Sequence, residues 1–123
     1  AGLSNAKVRS VRDLAERILN KDLDPSRLAA LTDEEAITTL SQVRGIGRWT
    51  AEMFLIFVLG REDIFSWGDL GLRRGVEKMW GEFDEKTLTP KVESWAPYRS
   101  YASLALWWSL DNGNSLATVI KEK

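Results

Sequence analysis

The chain has 123 residues, 17 basic against 18 acidic side chains, 44% hydrophobic and 28% charged residues, no cysteine and no histidine. That composition suits one domain of a water-soluble fold and excludes gross disorder. Without Cys the chain forms no disulfide, holds no iron–sulfur cluster and does no thiol chemistry. Without His it builds neither a Ser-His triad nor a His-ligated zinc site.

The elements read as helices in sequence. Val8, Val11, Leu14, Ala15, Ile18 and Leu19 recur at helical spacing behind Ser4, a candidate N-cap. Asp24-Pro25 starts a short helical turn. Thr32-Asp33-Glu34-Glu35 is a capping box before Ala36, Ile37, Leu40 and Val43. Gly45-Ile46-Gly47 makes a tight turn, and the apolar run from Ala51 to Leu59 predicts a buried helix that Gly60 stops. Asp69 precedes a helix patterned by Leu70, Leu72, Val76, Met79 and Trp80. Thr89-Pro90 and Ala96-Pro97 are read as helix starts, and Tyr98, Tyr101, Ala102, Ala105 and Trp108 as the apolar stripe of a last helix ending at Asn112-Gly113. Ile64-Phe65 is too short to build a sheet. The fold class is all-α, with residues 1–112 helical, 113–123 a C-terminal tail and no internal boundary. No run is apolar enough to predict a membrane span, and the first residues lack a signal peptide's apolar core.

Near-neutral net charge conceals local charge. Lys7, Arg9, Arg12, Arg17 and Lys21 face only Asp13 and Glu16 in the first segment, whereas Arg27 stands among five acids over residues 22–42. A basic face and ordinary solvated helix faces both fit this pattern. The helix–turn–helix over 33–60 is more informative. A helix that begins directly after glycines presents its first N–H groups outward, and such a start accepts a phosphate without any lysine. A plain αα-hairpin fits the same residues.

The stretch Val43-Arg44-Gly45-Ile46-Gly47-Arg48-Trp49-Thr50-Ala51 resembles the hairpin of the helix-hairpin-helix DNA glycosylases, in particular the 3-methyladenine DNA glycosylase II branch. Two further motifs follow in the family's order. Phe65-Ser66-Trp67-Gly68-Asp69-Leu70-Gly71-Leu72-Arg73-Arg74-Gly75 resembles the aspartate loop, within 65–75. Trp95-Ala96-Pro97-Tyr98-Arg99-Ser100-Tyr101-Ala102 resembles the late aromatic–Arg helix. The likeness covers roughly residues 1–110 and departs from the pattern at Ser66-Trp67-Gly68, which lacks the proline that often precedes the aspartate.

The resemblance implies a monofunctional DNA glycosylase that removes alkylated purines from double-stranded DNA in base excision repair. It implies that the amides of Gly45, Gly47 and Thr50, flanked by Arg44 and Arg48, bind the DNA backbone. It also implies that the carbonyls of Ser41, Val43 and Ile46 hold a potassium or sodium ion there, with no other cofactor required. Bifunctional members carry a Lys where Trp49 stands; an indole forms no Schiff base but stacks on an electron-poor base. Asp69 is the implied catalytic group. Its carboxylate would stabilise oxocarbenium character on the sugar and orient the attacking water, while a cationic base departs neutral without a strong general acid. Asp69 is also a good N-cap, and the two roles are compatible. Trp95 and Tyr98 are implied to line the base pocket. Arg99 is implied either to pair with a carboxylate or to fix its helix against the hairpin, and Arg73 and Arg74 either to contact phosphate or to stand as solvated helix positions.

The resemblance begins partway through the family's fold, at Ala1-Gly2-Leu3-Ser4-Asn5-Ala6-Lys7. The fold is therefore expected to be incomplete at its N-terminus, with a further segment or chain supplying one pocket wall. Location is expected to be intracellular, in the nucleoid or nucleus, with no membrane partner. A non-catalytic helix-hairpin-helix module that only grips DNA backbone is the alternative.

Overall fold

The computed structural model describes residues 5–20 and 24–111. Among them are α1 (Asn5–Asn20), α2 (Pro25–Ala29), α3 (Asp33–Ser41), α4 (Arg48–Phe57), α5 (Leu70–Trp80), α6 (Glu85–Glu93) and α7 (Arg99–Asp111), and no strand. The expected cap at Ser4, the helix stop at Asn112-Gly113 and the tail over 113–123 lie outside the described residues. The chain folds as two compact units, one running to Arg61 and the other from Glu62 onward.

In the first unit α4 packs against both α1 and α3. Six consecutive residues of α4, Ala51 to Ile56, are buried, whereas Phe57 and Val58, in the last part of the expected run, are exposed. α1 contributes Val11 and Leu14 to the core and leaves Arg9 and Arg12 exposed. The capping box closes α3 in both directions. The Glu35 N–H donates to Thr32 Oγ1 at 3.2 Å, and the Thr32 N–H donates to Glu35 Oε1 at 2.9 Å. Past Gly60, in the left-handed region at φ 67°, Arg61 turns back. Its guanidinium donates to the Leu28 and Leu31 carbonyls at 2.8 and 2.9 Å and to Asp33 at 2.9 Å. One side chain thus ties the end of α4 to α2 and α3.

In the second unit α5 packs on α7. Gly75 permits close approach, since a Cβ there would stand 3.2 Å from Leu106 Cδ2. The Ile64-Phe65 pair joins no sheet, and the segment that leads into it, from Glu62 to Ile64, is bonded to a helix. The Ser100 N–H donates to the Glu62 carbonyl at 2.9 Å and the Ile64 N–H to Ser100 Oγ at 2.9 Å, while Ser103 Oγ donates to the Ile64 carbonyl at 3.0 Å. Buried serines here do the work of a neighbouring strand.

Three expectations are corrected. α6 begins at Glu85, not at Thr89-Pro90. The Asp84 carboxylate accepts the Lys86 N–H at 3.0 Å and starts the helix, and Pro90 sits inside it. α7 begins at Arg99 rather than at Ala96-Pro97, because the Asp63 carboxylate accepts the Arg99 N–H at 3.1 Å and caps the helix from 36 residues away. The face of α7 that enters the core carries Ser100, Ser103, Leu106 and Trp107, whereas Tyr98, Tyr101 and Trp108 of the expected stripe are exposed. Large apolar residues occur on both faces, so periodicity alone does not choose between them.

Candidate functional site

The hairpin between α3 and α4 closes through the Val43 N–H to the Leu40 carbonyl at 3.1 Å and the Ile46 N–H to the Val43 carbonyl at 3.0 Å. Gly45 takes φ 86°, which favours glycine, and buried Ile46 anchors the turn. Gly47 is different. As N-cap of α4 it has φ −94° and ψ 179°, open to any residue, and a Cβ there would meet nothing within 4 Å. Among the described residues nothing demands glycine at this position, and the space left by the missing side chain is open. Gly47 also offers no side-chain acceptor to the first amides of α4, and no acidic residue stands in the helix's first turn. Trp49 and Thr50 follow, both half-buried, and Arg44 is exposed; Ser41 is exposed and Val43 half-buried.

Arg48 is engaged within the chain. Its guanidinium grips Glu34 at 2.7 and 3.2 Å and approaches the buried Glu52 at 3.4 Å. The fork on Glu34 holds that carboxyl below the usual carboxylate range and raises Arg48 in turn.

In the second unit Asp69 ends a tight turn made by its N–H donating to the Ser66 carbonyl at 3.1 Å. Its side chain caps α5, with Oδ2 accepting the Leu72 N–H at 2.9 Å. The same oxygen accepts Nε1–H of Trp107 at 3.0 Å. Asp69 is 1% exposed and Trp107 2%. A Cβ on Gly71 would stand 3.2 Å from that oxygen, so the glycine leaves the carboxylate its room. The arrangement is a buried carboxyl group with two N–H donors aimed at one oxygen. In a medium of low dielectric such a group, when ionised, acts strongly on nearby positive charge.

Sequence reasoning left Trp107 without a role. Only the phase of α7 distinguishes it from Trp108, and that phase is set by contacts with residues 62–64.

The remaining expected residues fall in this second unit and mostly brace it. Arg73 donates to the Trp67 carbonyl at 3.2 Å and to Glu85 at 2.6 Å, and lies 5.6 Å from the Trp67 ring centre. Arg99 holds Asp63 with Nε at 2.8 Å and a terminal nitrogen at 3.1 Å, which keeps the Asp63 carboxyl below its usual range. Arg74 is exposed. Trp95 stacks on Trp80 at 5.3 Å and leans on Phe65 at 6.4 Å. Trp95 and Tyr98 come together with Met79, Tyr101, Ala102 and Leu106 around an apolar cavity of about 340 Å³. Asp69 is not among the residues that line this cavity. Among the described residues, no group of three His, Cys, Asp or Glu side chains could hold a metal ion.

Comparison with known proteins gives consistent relatives. No protein-family model matches the chain. DNA-3-methyladenine glycosylase 1 of Schizosaccharomyces pombe is 38% identical over 111 residues, covering 86% of this chain and 48% of that protein. The DNA-3-methyladenine glycosylase of Saccharomyces cerevisiae is 31% identical over 138 residues, covering 86% and 47%. The crystal structure of a DNA-3-methyladenine glycosidase from Bacillus halodurans superposes with a TM-score of 0.69 at 36% identity, over 97% of this chain and 58% of that one. The chain thus spans from 21% to 52% of the length of the curated relatives it matches.

Proposed function

Because this chain belongs to the helix-hairpin-helix DNA glycosylases, on their 3-methyladenine branch, we propose that the protein hydrolyses the N-glycosidic bond of alkylated purines in double-stranded DNA. The observation that carries this reading is Asp69, a buried carboxylate oriented by Leu72 and Trp107. Its negative charge stabilises the sugar as the bond to the base lengthens, and it orients the water that replaces the base. A methylated purine carries its own positive charge, so it leaves neutral and needs no strong acid.

The hairpin binds the DNA backbone through the amides of Gly45, Gly47 and Thr50, and through Arg44 and Arg48. The open space at Gly47 and the absence of a side-chain cap on α4 support this role. Backbone carbonyls of Ser41, Val43 and Ile46 would hold a potassium or sodium ion. The Val43 carbonyl accepts one N–H and keeps a second lone pair for a ligand, which supports its part in this set. When bound, the ion supplies positive charge to the phosphate.

Trp49 stacks on the extruded base, and its indole supports glycosylase chemistry without lyase activity. Trp95 braces the aspartate loop through Phe65. Arg74 contacts phosphate, whereas Arg73 and Arg99 hold the unit together. DNA places the site of action in the nucleoid or the nucleus.

The relatives carry about as much sequence again outside the matched portion. We propose that corresponding polypeptide covers exposed Tyr98 and, on α7, Tyr101, Leu104 and Trp108. A second reading, backbone binding without catalysis, is favoured by the plain structural task of Asp69 as the cap of α5. Release of methylated bases from duplex DNA by the full-length protein separates the two. Free 3-methyladenine appears under the first reading and no base under the second.

A further inference from the structure

We propose that Glu34 holds the place of a DNA phosphate on Arg48, so that backbone binding at the hairpin exchanges one anion for another on a single guanidinium. The inference rests on the reading of the hairpin as a DNA-backbone site. Three features of the pair point to exchange. First, Arg48 opens α4 directly after Gly47, and its planar fork takes Glu34 in a two-point grip at 2.7 and 3.2 Å. That geometry is the one a phosphodiester offers as well. Second, the pair stands in solvent, with side chains 58% and 70% exposed, so separating it costs little. Third, Glu52 approaches the same guanidinium from a buried position at 3.4 Å with 5% exposure. When Glu34 leaves, Glu52 stays and keeps the fork aimed outward.

Glu34 then acts as a built-in competitor. It lowers affinity for any duplex, damaged or not, and so favours release of undamaged sequence during search. It also flattens the salt dependence. Each phosphate neutralised by a cationic side chain contributes a slope of about −0.9 in log affinity against log salt, through counterions released from DNA. In the wild type the freed Glu34 takes up a counterion and offsets part of that release.

The test is binding of an undamaged duplex by the full-length protein, measured by fluorescence anisotropy over a salt series. The variants are Glu34→Gln, Arg48→Gln, the double variant, and Glu35→Gln. The last removes the same charge one residue away while a glutamine keeps the capping box. Glu34→Gln is expected to bind about two- to fivefold more tightly at low salt, with a slope steeper by up to about one. Glu35→Gln stays close to wild type. In the Arg48→Gln background the Glu34 substitution has no effect. Equal gains from Glu34→Gln and Glu35→Gln, or a gain that persists without Arg48, overturn the exchange in favour of general electrostatics. Measurable wild-type binding with no gain from Glu34→Gln overturns the exchange and leaves the hairpin reading standing. No measurable binding by the wild type overturns both.

Discussion

Asp69→Asn separates a catalytic carboxylate from a helix cap. The Asp69 oxygen that meets Leu72 N–H at 2.9 Å and Trp107 Nε1–H at 3.0 Å is replaced by an amide oxygen that accepts the same two bonds. Two opposing terms govern stability. Hydrogen bonds to a charged acceptor contribute about 1.5–3 kcal/mol each against about 0.5–1.5 for neutral ones. Removing an anion that is 1% exposed, however, relieves a desolvation cost of several kcal/mol. The variant is therefore expected to fold, with stability changed by no more than about 2 kcal/mol. Catalysis has no such compensation. A carboxylate about 4 Å from a full positive charge, at an effective dielectric of about 20, contributes about 4 kcal/mol, which is roughly a thousandfold in rate. The assay is single-turnover release of methylated base from duplex DNA, with thermal unfolding and duplex affinity measured alongside. A folded Asp69→Asn protein that binds DNA and releases base within about threefold of the wild-type rate would refute the reasoning, and Asp69 would then be a cap alone.

Three further outcomes follow from the same geometry. Trp107→Phe keeps an aromatic side chain, though a smaller one, and loses the N–H that meets Asp69. Single-turnover base release should fall about tenfold or more with duplex affinity unchanged, and an unaltered rate would remove Trp107 from the site. Gly47→Ala meets no clash among the described residues, so the melting temperature should hold within a few degrees while duplex affinity drops at least about fivefold; intact affinity in an anisotropy titration would count against the hairpin. Asp63 is held below its usual carboxylate range by Arg99, so the pair stabilises the fold above the ordinary value of about 3.9 and loses that contribution as pH falls through the lowered one. Asp63→Asn should therefore unfold at a lower temperature than wild type at pH 7, with the gap narrowing below about pH 4; a gap independent of pH would contradict the assignment.

What the sequence made legible was local. The Thr32–Glu35 capping box, the Asp24-Pro25 start, the glycine turn and the Asp69 cap each depend on residues within a few positions of one another, and each is found where the pattern placed it. The buried run of α4 was legible because nearly every side is apolar. Thr89-Pro90 misled because proline suits a first helical turn. Asp84 had already started α6, and the helix carries Pro90 inside it.

α7 shows where such reading stops. Its start is capped by Asp63, its buried serines bond residues 62–64, and its Trp107 meets Asp69 across 38 positions. None of these partners is near in sequence, and serine in a helix ordinarily signals an exposed position. Here the serines face inward because an irregular segment with unpaired backbone groups lies against them, and each serine satisfies a group that would otherwise be buried without a partner. The consequence bears on chemistry. The segment from Glu62 to Asp69 is fastened to the first turn of α7 at one end and to its third turn, through Trp107, at the other. The position of the carboxylate is then set by α5 and α7, through Leu72 and Trp107, as well as by the turn that carries it. Although the expected proline before the aspartate is missing, two helices fix the oxygen from outside the loop.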